Sequence, residues 1–158
     1  MMGIKIYTDG SAKGNPGKGG YGVVMLFQEH RKEICEGFRL TTNNRMELLA
    51  VIVGLESIKK LNEKVIVFSD SKYVVDAVEK RWVFSWEKTS FNKKKNSDLW
   101  IRFLKVYRKH HVSFTWVKGH ANNVENERCD FLAVESSEKS DLKIDDWYEK
   151  SKEKNSLF

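Results

Sequence analysis

The chain opens on a strict alternation. Ile4, Ile6 and Thr8 fall on one face and Lys5, Tyr7 and Asp9 on the other, which is the period of a β-strand. The next stretch, GSAKGNPGKGG, holds the only proline, Pro16, and five of the ten glycines, and predicts a tight irregular turn. Residues 21–28 and 32–41 read as two more strands, joined as a hairpin. A helix is expected from Asn43 or Asn44, either of which could cap it, to about residue 61, with Leu48, Val51, Ile52, Leu55 and Ile58 as its apolar set. The run at 65–69, apolar through Phe68, leads into Asp70 and suits a central strand covered on both faces. A helix over 71–80, a Trp- and Lys-containing excursion over 82–95, a helix over 98–110, a strand over 112–117 and a helix over 125–138 follow. The order βββαβαααβα, with no repeat or linker, predicts an α/β fold: a five-stranded mixed sheet with helices packed on it. The domain is expected to span residues 1–140, with a basic protrusion at about 80–95. Residues 141–158 read as a mixed-charge C-terminal tail, partly mobile.

A chain of 158 residues fits one domain. With 41% hydrophobic and 32% charged residues it belongs to the globular class. No run of about 18 apolar residues offers a membrane span, and the start, MMGIKIYTDG, lacks the pattern of a signal peptide. Cys35 and Cys129 are far apart and form no metal-type spacing, so reduced thiols in a cytoplasmic protein are expected. The net charge of +6 is uneven. Residues 80–118 carry eleven Lys and Arg against two acids, Glu87 and Asp98, which leaves the rest of the chain net negative. That asymmetry points to a polyanionic partner.

Four acids sit where acids are costly. Asp9 ends the first strand and Asp70 the fourth. Glu47 lies early in its helix, and steps of three, four and seven reach Ala50, Val51 and Gly54, so its carboxylate faces the protein. Asp130 lies early in the last helix beside Ala133 and Val134. Each has an ordinary explanation alone: a turn former, a dipole partner, an N-cap, a solvated side chain. Together they could converge on one edge of the sheet. Converging carboxylates raise one another's pKa unless cations neutralise them, and hard divalent cations take oxygen ligands.

The segments YTDGSAKGNPGKGGYG, TTNNRMELLAVIVGLE, FSDSKYVVDAV, KRWVFSWEKT and WVKGHANNVENERCDFLA occur in the order found in bacterial ribonuclease H type 1. Over residues 4–135 the chain resembles the bare catalytic domain of that family, without a separate hybrid-binding module. The resemblance implies an RNase H-like fold with helices on both sheet faces, and an endonuclease that hydrolyses the RNA strand of RNA–DNA hybrids to 5′-phosphate and 3′-hydroxyl ends. By position, Asp9, Glu47, Asp70 and Asp130 would hold two Mg²⁺ ions, with Mn²⁺ as a substitute, and His120 would be the catalytic histidine. Asn15, Asn43 and Asn44 match positions that contact backbone or 2′-hydroxyls, for which an amide both donates and accepts. Thr42 matches a phosphate contact on the DNA strand. Trp82, Trp86 and Lys88 belong to the basic protrusion that grips that strand. A cytoplasmic monomer that removes RNA primers and R-loops is the role the resemblance implies.

Some positions depart from the family pattern. The stretch between Phe91 and Asn96 is shortened and lacks a proline, Val124 stands where Pro is common, and Ala12 and Lys72 replace commoner polar residues beside the site. Three other readings remain at this point. Another nuclease or polynucleotidyl transferase of the same fold is disfavoured by the NNRME and WVKGH segments. A binding module without catalysis would gain nothing from carboxylates facing phosphate. A domain cut from a reverse transcriptase is disfavoured by the start Met and the complete set of elements.

Overall fold

A computed structural model describes residues 3–119 and 123–155. Strands β1 (Ile4–Ala12), β2 (Gly17–Phe27) and β3 (His30–Thr41) form an antiparallel meander. Strands β4 (Lys64–Ser69) and β5 (His111–Trp116) join parallel on the other side of β1, which gives the order β3-β2-β1-β4-β5. Helices α1 (Asn43–Glu56), α2 (Lys72–Glu79), α3 (Trp82–Lys88) and α4 (Ser97–Tyr107) gather on one face, and α5 (Val124–Ser137) covers the other. The expected class, a mixed sheet of five strands with helices on both faces, is the one observed.

Burial follows the two-residue period of the strands. Ile6, Val23 and Val67 meet Met46, Ile52 and Leu55 of α1, with Trp100 and Phe103 of α4 behind them. Val24 points the other way and packs with Cys129 and Leu132 of α5. Because β1 and β2 are covered on both faces, β2 is buried from Gly19 to Met25 without alternation.

The glycine-rich stretch is mostly strand rather than turn. Pairing runs out to Ala12↔Gly19, and only residues 13–16 reverse the chain. The glycines serve close packing. A Cβ on Gly20 would lie 2.5 Å from the Ala133 carbonyl oxygen, and one on Gly22 would overlap the Cys129 carbonyl, so α5 lies directly on the bare backbone of β2. Helix α1 is also shorter than expected. Its N-cap is Thr42, whose hydroxyl accepts from the Arg45 amide at 3.2 Å, rather than Asn43 or Asn44. It ends at Glu56, where the Ser57 hydroxyl donates to the Gly54 carbonyl at 2.7 Å.

Residues 141–155 are not a free tail. Lys143 bridges to Phe38 of β3, and α6 (Asp146–Asn155) follows. Their anchor is Arg45 in the first turn of α1, only 2% exposed. Its Nε and Nη2 donate to Asp145 at 2.7 and 2.9 Å. Its Nη1 and Nη2 each donate to Asp98 at 2.8 Å, and Nη1 also reaches Asn96 Oδ1 at 3.3 Å. All five guanidinium N–H groups therefore have partners. Asp145 also accepts from the Thr41 hydroxyl at 2.8 Å, and the Trp147 ring lies 5.1 Å from the guanidinium carbon. On the surface, Arg39 adds a two-point pair with Glu149 at 2.9 and 2.8 Å. Helix α6 escaped the sequence reading because ion pairs, not an apolar stripe, hold it in place.

Replacing Arg45 with Ala leaves the Asp145 carboxylate buried and unpaired. The expected loss is about 3–5 kcal/mol in urea denaturation. A loss below about 1 kcal/mol, the range of an exposed pair, would contradict this reading.

Candidate active site

β1 and β4 are parallel neighbours, in register from Ile4↔Val65 to Tyr7↔Phe68, so their C-terminal ends emerge side by side. Asp9 lies near one end and Asp70 follows directly after the other. In sheets of this kind, ligands gather at the carboxyl ends of parallel strands. Gly10 makes the third contribution possible. A Cβ there would collide with the backbone of Met46 and Glu47, so α1 sits directly on the end of β1 and brings Glu47 over Asp9. One carboxylate oxygen from each of Asp9, Glu47 and Asp70 lies within 4.8 Å of the other two. Asp130, one residue after the buried Cys129 of α5, stands within hydrogen-bonding reach of Asp9 from the opposite sheet face. Asp9 is thus central, with Glu47 and Asp70 to one side and Asp130 to the other.

The electrostatics of this cluster are unfavourable. Asp9 is 9% exposed, and its carboxylate accepts from the Gly10 amide at 2.9 Å. Burial first, then the Asp70 charge and the approach of Asp130, push its pKa up to about 8. Glu47 is held well above the ordinary carboxylate range by burial, then by the charges of Asp9 and Asp70. Glu47 Oε1 and Asp70 Oδ1 are buried with no hydrogen-bond partner. A cluster of hard oxygen donors, with two atoms orphaned and like charges adjoining, is what a hard divalent cation satisfies, so the residues fit such an ion.

The remaining expected residues surround this cluster unevenly. Asn15 and Asn43 interlock: the Asn43 amide donates to Asn15 Oδ1 at 2.9 Å, and Asn43 Oδ1 accepts from the Ala12 amide at 2.5 Å. The pair ties the β1–β2 turn to the start of α1. Asn44 is exposed beside them. Thr42, as N-cap, is half-buried. Trp82 is 46% exposed, with the Lys80 ammonium over its ring at 5.3 Å. Trp86 instead turns inward, edge-on to Trp100 at 5.7 Å, and Lys88 is exposed at the end of α3. The excursion thus has a buried and an open side, Val83 and Phe91 anchoring the former. His120 lies outside the described residues; the preceding Gly119 rests against Asp70, where a Cβ would be 3.0 Å from Oδ2.

Two features had not been singled out as site components. The Trp116 indole donates to the Asp70 carbonyl at 3.1 Å, and the Lys72 ammonium sits over that indole at 4.1 Å. A Trp inside the WVKGH segment and a cation directly after the DS of FSDSK were the only sequence signals. The other is a groove of about 650 Å³ beside Thr42 and Asn44, walled by Lys93, Lys94, Lys95 and by Trp147 and Lys152 of α6.

Comparison with known proteins places this geometry among relatives. The family model described as RNase H matches residues 2–138. The chain is 52% identical over 150 residues to a ribonuclease H of Syntrophus aciditrophicus, covering 92% of this chain and 86% of that one. It is 56% identical over 148 residues to a ribonuclease H of Desulforamulus reducens, covering 90% and 92%. Among solved structures it resembles LC9-RNase H1, a type 1 RNase H, with a TM-score of 0.77 and 31% identity over 85% of this chain and 71% of that one. It also resembles LC11-RNase H1 in complex with an RNA/DNA hybrid, with a TM-score of 0.66 and 28% identity over 87% and 98%.

The repulsion has a measurable sign. Because folding raises the Asp9 pKa from 3.8 to about 8, the folded protein binds that proton more tightly than the unfolded chain. Ionising it costs stability, a cost absent below about pH 4 and complete above about pH 8. Asp70→Asn removes one repelling charge. Without divalent cations at pH 8 it should raise the thermal midpoint by about 3–6 °C, for a gain of about 1–2 kcal/mol. The gain should shrink towards pH 5, and a lowered midpoint at pH 8 would contradict the argument.

Proposed function

The chain belongs to the RNase H family, and we propose that it is an endonuclease that hydrolyses the RNA strand of RNA–DNA hybrids, leaving 5′-phosphate and 3′-hydroxyl ends. The observation that carries this reading is the convergence of Asp9, Glu47 and Asp70 within 4.8 Å, with Asp130 against Asp9. A protein that only bound nucleic acid would gain nothing from such a cluster, because it repels phosphate.

Asp9, at the centre, with Glu47, Asp70 and Asp130 around it, would hold the divalent cations. When bound, a pair of Mg²⁺ ions, or Mn²⁺ in their stead, supplies neutralisation of the scissile phosphate and activation of water for in-line displacement. The protein's own contribution is placement. Gly10 seats α1 so that Glu47 is held over Asp9, and the burial of Asp9 limits screening of its charge by bulk water. His120, next in sequence to the Gly119 that rests on Asp70, moves protons at the attacking water or the leaving group, or assists product release.

Recognition is by duplex shape. Asn15, Asn43 and Asn44 lie along the edge of the site where 2′-hydroxyls of the RNA strand run in a wide minor groove. Thr42 faces a phosphate of the DNA strand, and Trp82 and Lys88 of the protrusion grip that strand further on, while Trp86 packs the protrusion onto the core. The catalytic carboxylates lie within residues 1–140, and the protein works as a monomer in the cytoplasm to remove RNA primers and R-loops. Among the described residues no helix is long and apolar enough to cross a membrane.

The test is cleavage of an end-labelled RNA strand presented single-stranded, as RNA–RNA and as RNA–DNA, with Mg²⁺ or with EDTA. Cutting should be confined to the hybrid, vanish with EDTA, and fall at least about 100-fold in Asp70→Asn. Cutting of every form, or binding without cutting, would overturn the reading.

A further inference from the structure

The groove beside Thr42 has two walls of different origin. One is the shortened loop after α3. It reverses with Ser90, Phe91, Lys93 and Asn96 all in the left-handed region, at φ of 53°, 57°, 59° and 62°. Side chains other than glycine pay about 1 kcal/mol or more for that conformation. Burial of Phe91 against the core, at 6% exposure, pins the loop in place. What the loop achieves is the presentation of Lys93, Lys94 and Lys95 into the groove. The Lys94 ammonium is steadied over the Trp86 ring at 5.0 Å.

The facing wall is α6, which the family match, ending at residue 138, does not reach. Its placement is fixed by Arg45, which binds Asp145 and lies under the Trp147 and Tyr148 rings at 5.1 and 5.8 Å. The acids Asp145 and Glu149 pair with Arg45 and Arg39. Lys152, its ammonium 5.6 Å from the Tyr148 ring, is left to line the groove, and Trp147 beside it is 42% exposed. Among the described residues, those lining the groove include four lysines and no Asp or Glu. Four ammonium groups around an open channel, with an exposed indole at the rim, suit a phosphodiester backbone: phosphates meet the cations and a sugar or base packs on the ring.

We propose that α6 is a second substrate-gripping element, and that Lys152, across the groove from Lys93, Lys94 and Lys95, contacts a phosphate of the DNA strand beyond the one at Thr42. This rests on the hybrid-cleaving reading above and adds to it a contact made by the C-terminal segment. The lysines are exposed and the groove is open, so the strand enters without rearrangement of the core.

The experiment is fluorescence anisotropy with a labelled RNA–DNA hybrid in EDTA over a range of NaCl, on the intact protein, Lys152→Ala and Lys152→Glu, with steady-state cleavage measured alongside. Lys60→Ala, at the opposite end of α1, controls for net charge. For Lys152→Ala the slope of log affinity against log salt should fall by about one unit, because one phosphate fewer is neutralised. KM should rise several-fold while kcat holds, and Lys152→Glu should do more. Neutral methylphosphonates in the DNA strand across the groove should erase the difference between the intact protein and Lys152→Ala. Erasure by methylphosphonates in the RNA strand instead, or a slope and KM equal to those of Lys60→Ala, would overturn the proposal while hybrid cleavage by the intact protein stood. Absence of hybrid cleavage by the intact protein would overturn the functional reading itself.

Discussion

Like charges 4.8 Å or less apart must be held against their repulsion, and the arrangement of this fold around Asp9, Glu47 and Asp70 follows from that constraint. Parallel pairing of β1 with β4 fixes Asp9 beside Asp70 through backbone hydrogen bonds that neither carboxylate can disturb. Helix α1 is clamped onto the end of β1 by the bare backbone of Gly10, and α5 is laid on β2 by Gly20 and Gly22, which brings Asp130 to Asp9 from the other face. Each acid therefore comes from a different element of the packed core. Their backbones cannot separate without unpacking the elements that carry them. The high pKa of Asp9 and the orphaned oxygens of Glu47 and Asp70 are the electrostatic record of that rigidity.

A second buried charge cluster lies at the same end of α1 and has the opposite character. Around Arg45 every donor is matched, two carboxylates face one guanidinium, and an indole lies alongside. Such a cluster asks for no ion and is well suited to fixing geometry. It joins the end of β3, the first turn of α1, the start of α4 and the C-terminal segment within two turns of Glu47. The satisfied cluster thus holds the platform on which the unsatisfied one is built. It also ties the walls of the basic groove to the helix that carries Glu47.

The sequence made much of this legible, for local reasons. Alternation in Ile4 to Asp9 and the apolar run ending at Asp70 place two strand ends, and with the helical face of Glu47 they were enough to suggest convergence. The ordered segments from YTDGSAKGNPG to WVKGHANN carried the family. Spacing alone could not show that Glu47 and Asp130 reach Asp9 from opposite faces of the sheet, because that depends on α5 packing against Gly20 and Gly22, the first of which looked like a turn former. Helix α6 was hidden for a related reason. Its docking rests on the pairing of Arg45 with Asp145, a hundred positions apart, and on Arg39 with Glu149, and long-range ion pairs leave no periodic trace. The Trp147–Tyr148 pair in an otherwise polar segment was the one local sign that something packs there.

At the centre of this account, the fold holds a proton among its carboxylates until divalent cations displace it. Calorimetric titration of Mg²⁺ into the intact protein at pH 7, repeated in buffers of different ionisation enthalpy, measures this directly. Binding should release protons, seen as heats that vary with the buffer, and Asp9→Asn should diminish the release, leaving the share that Glu47 contributes. Mg²⁺ binding with buffer-independent heats, or proton release undiminished in Asp9→Asn, would contradict the claim.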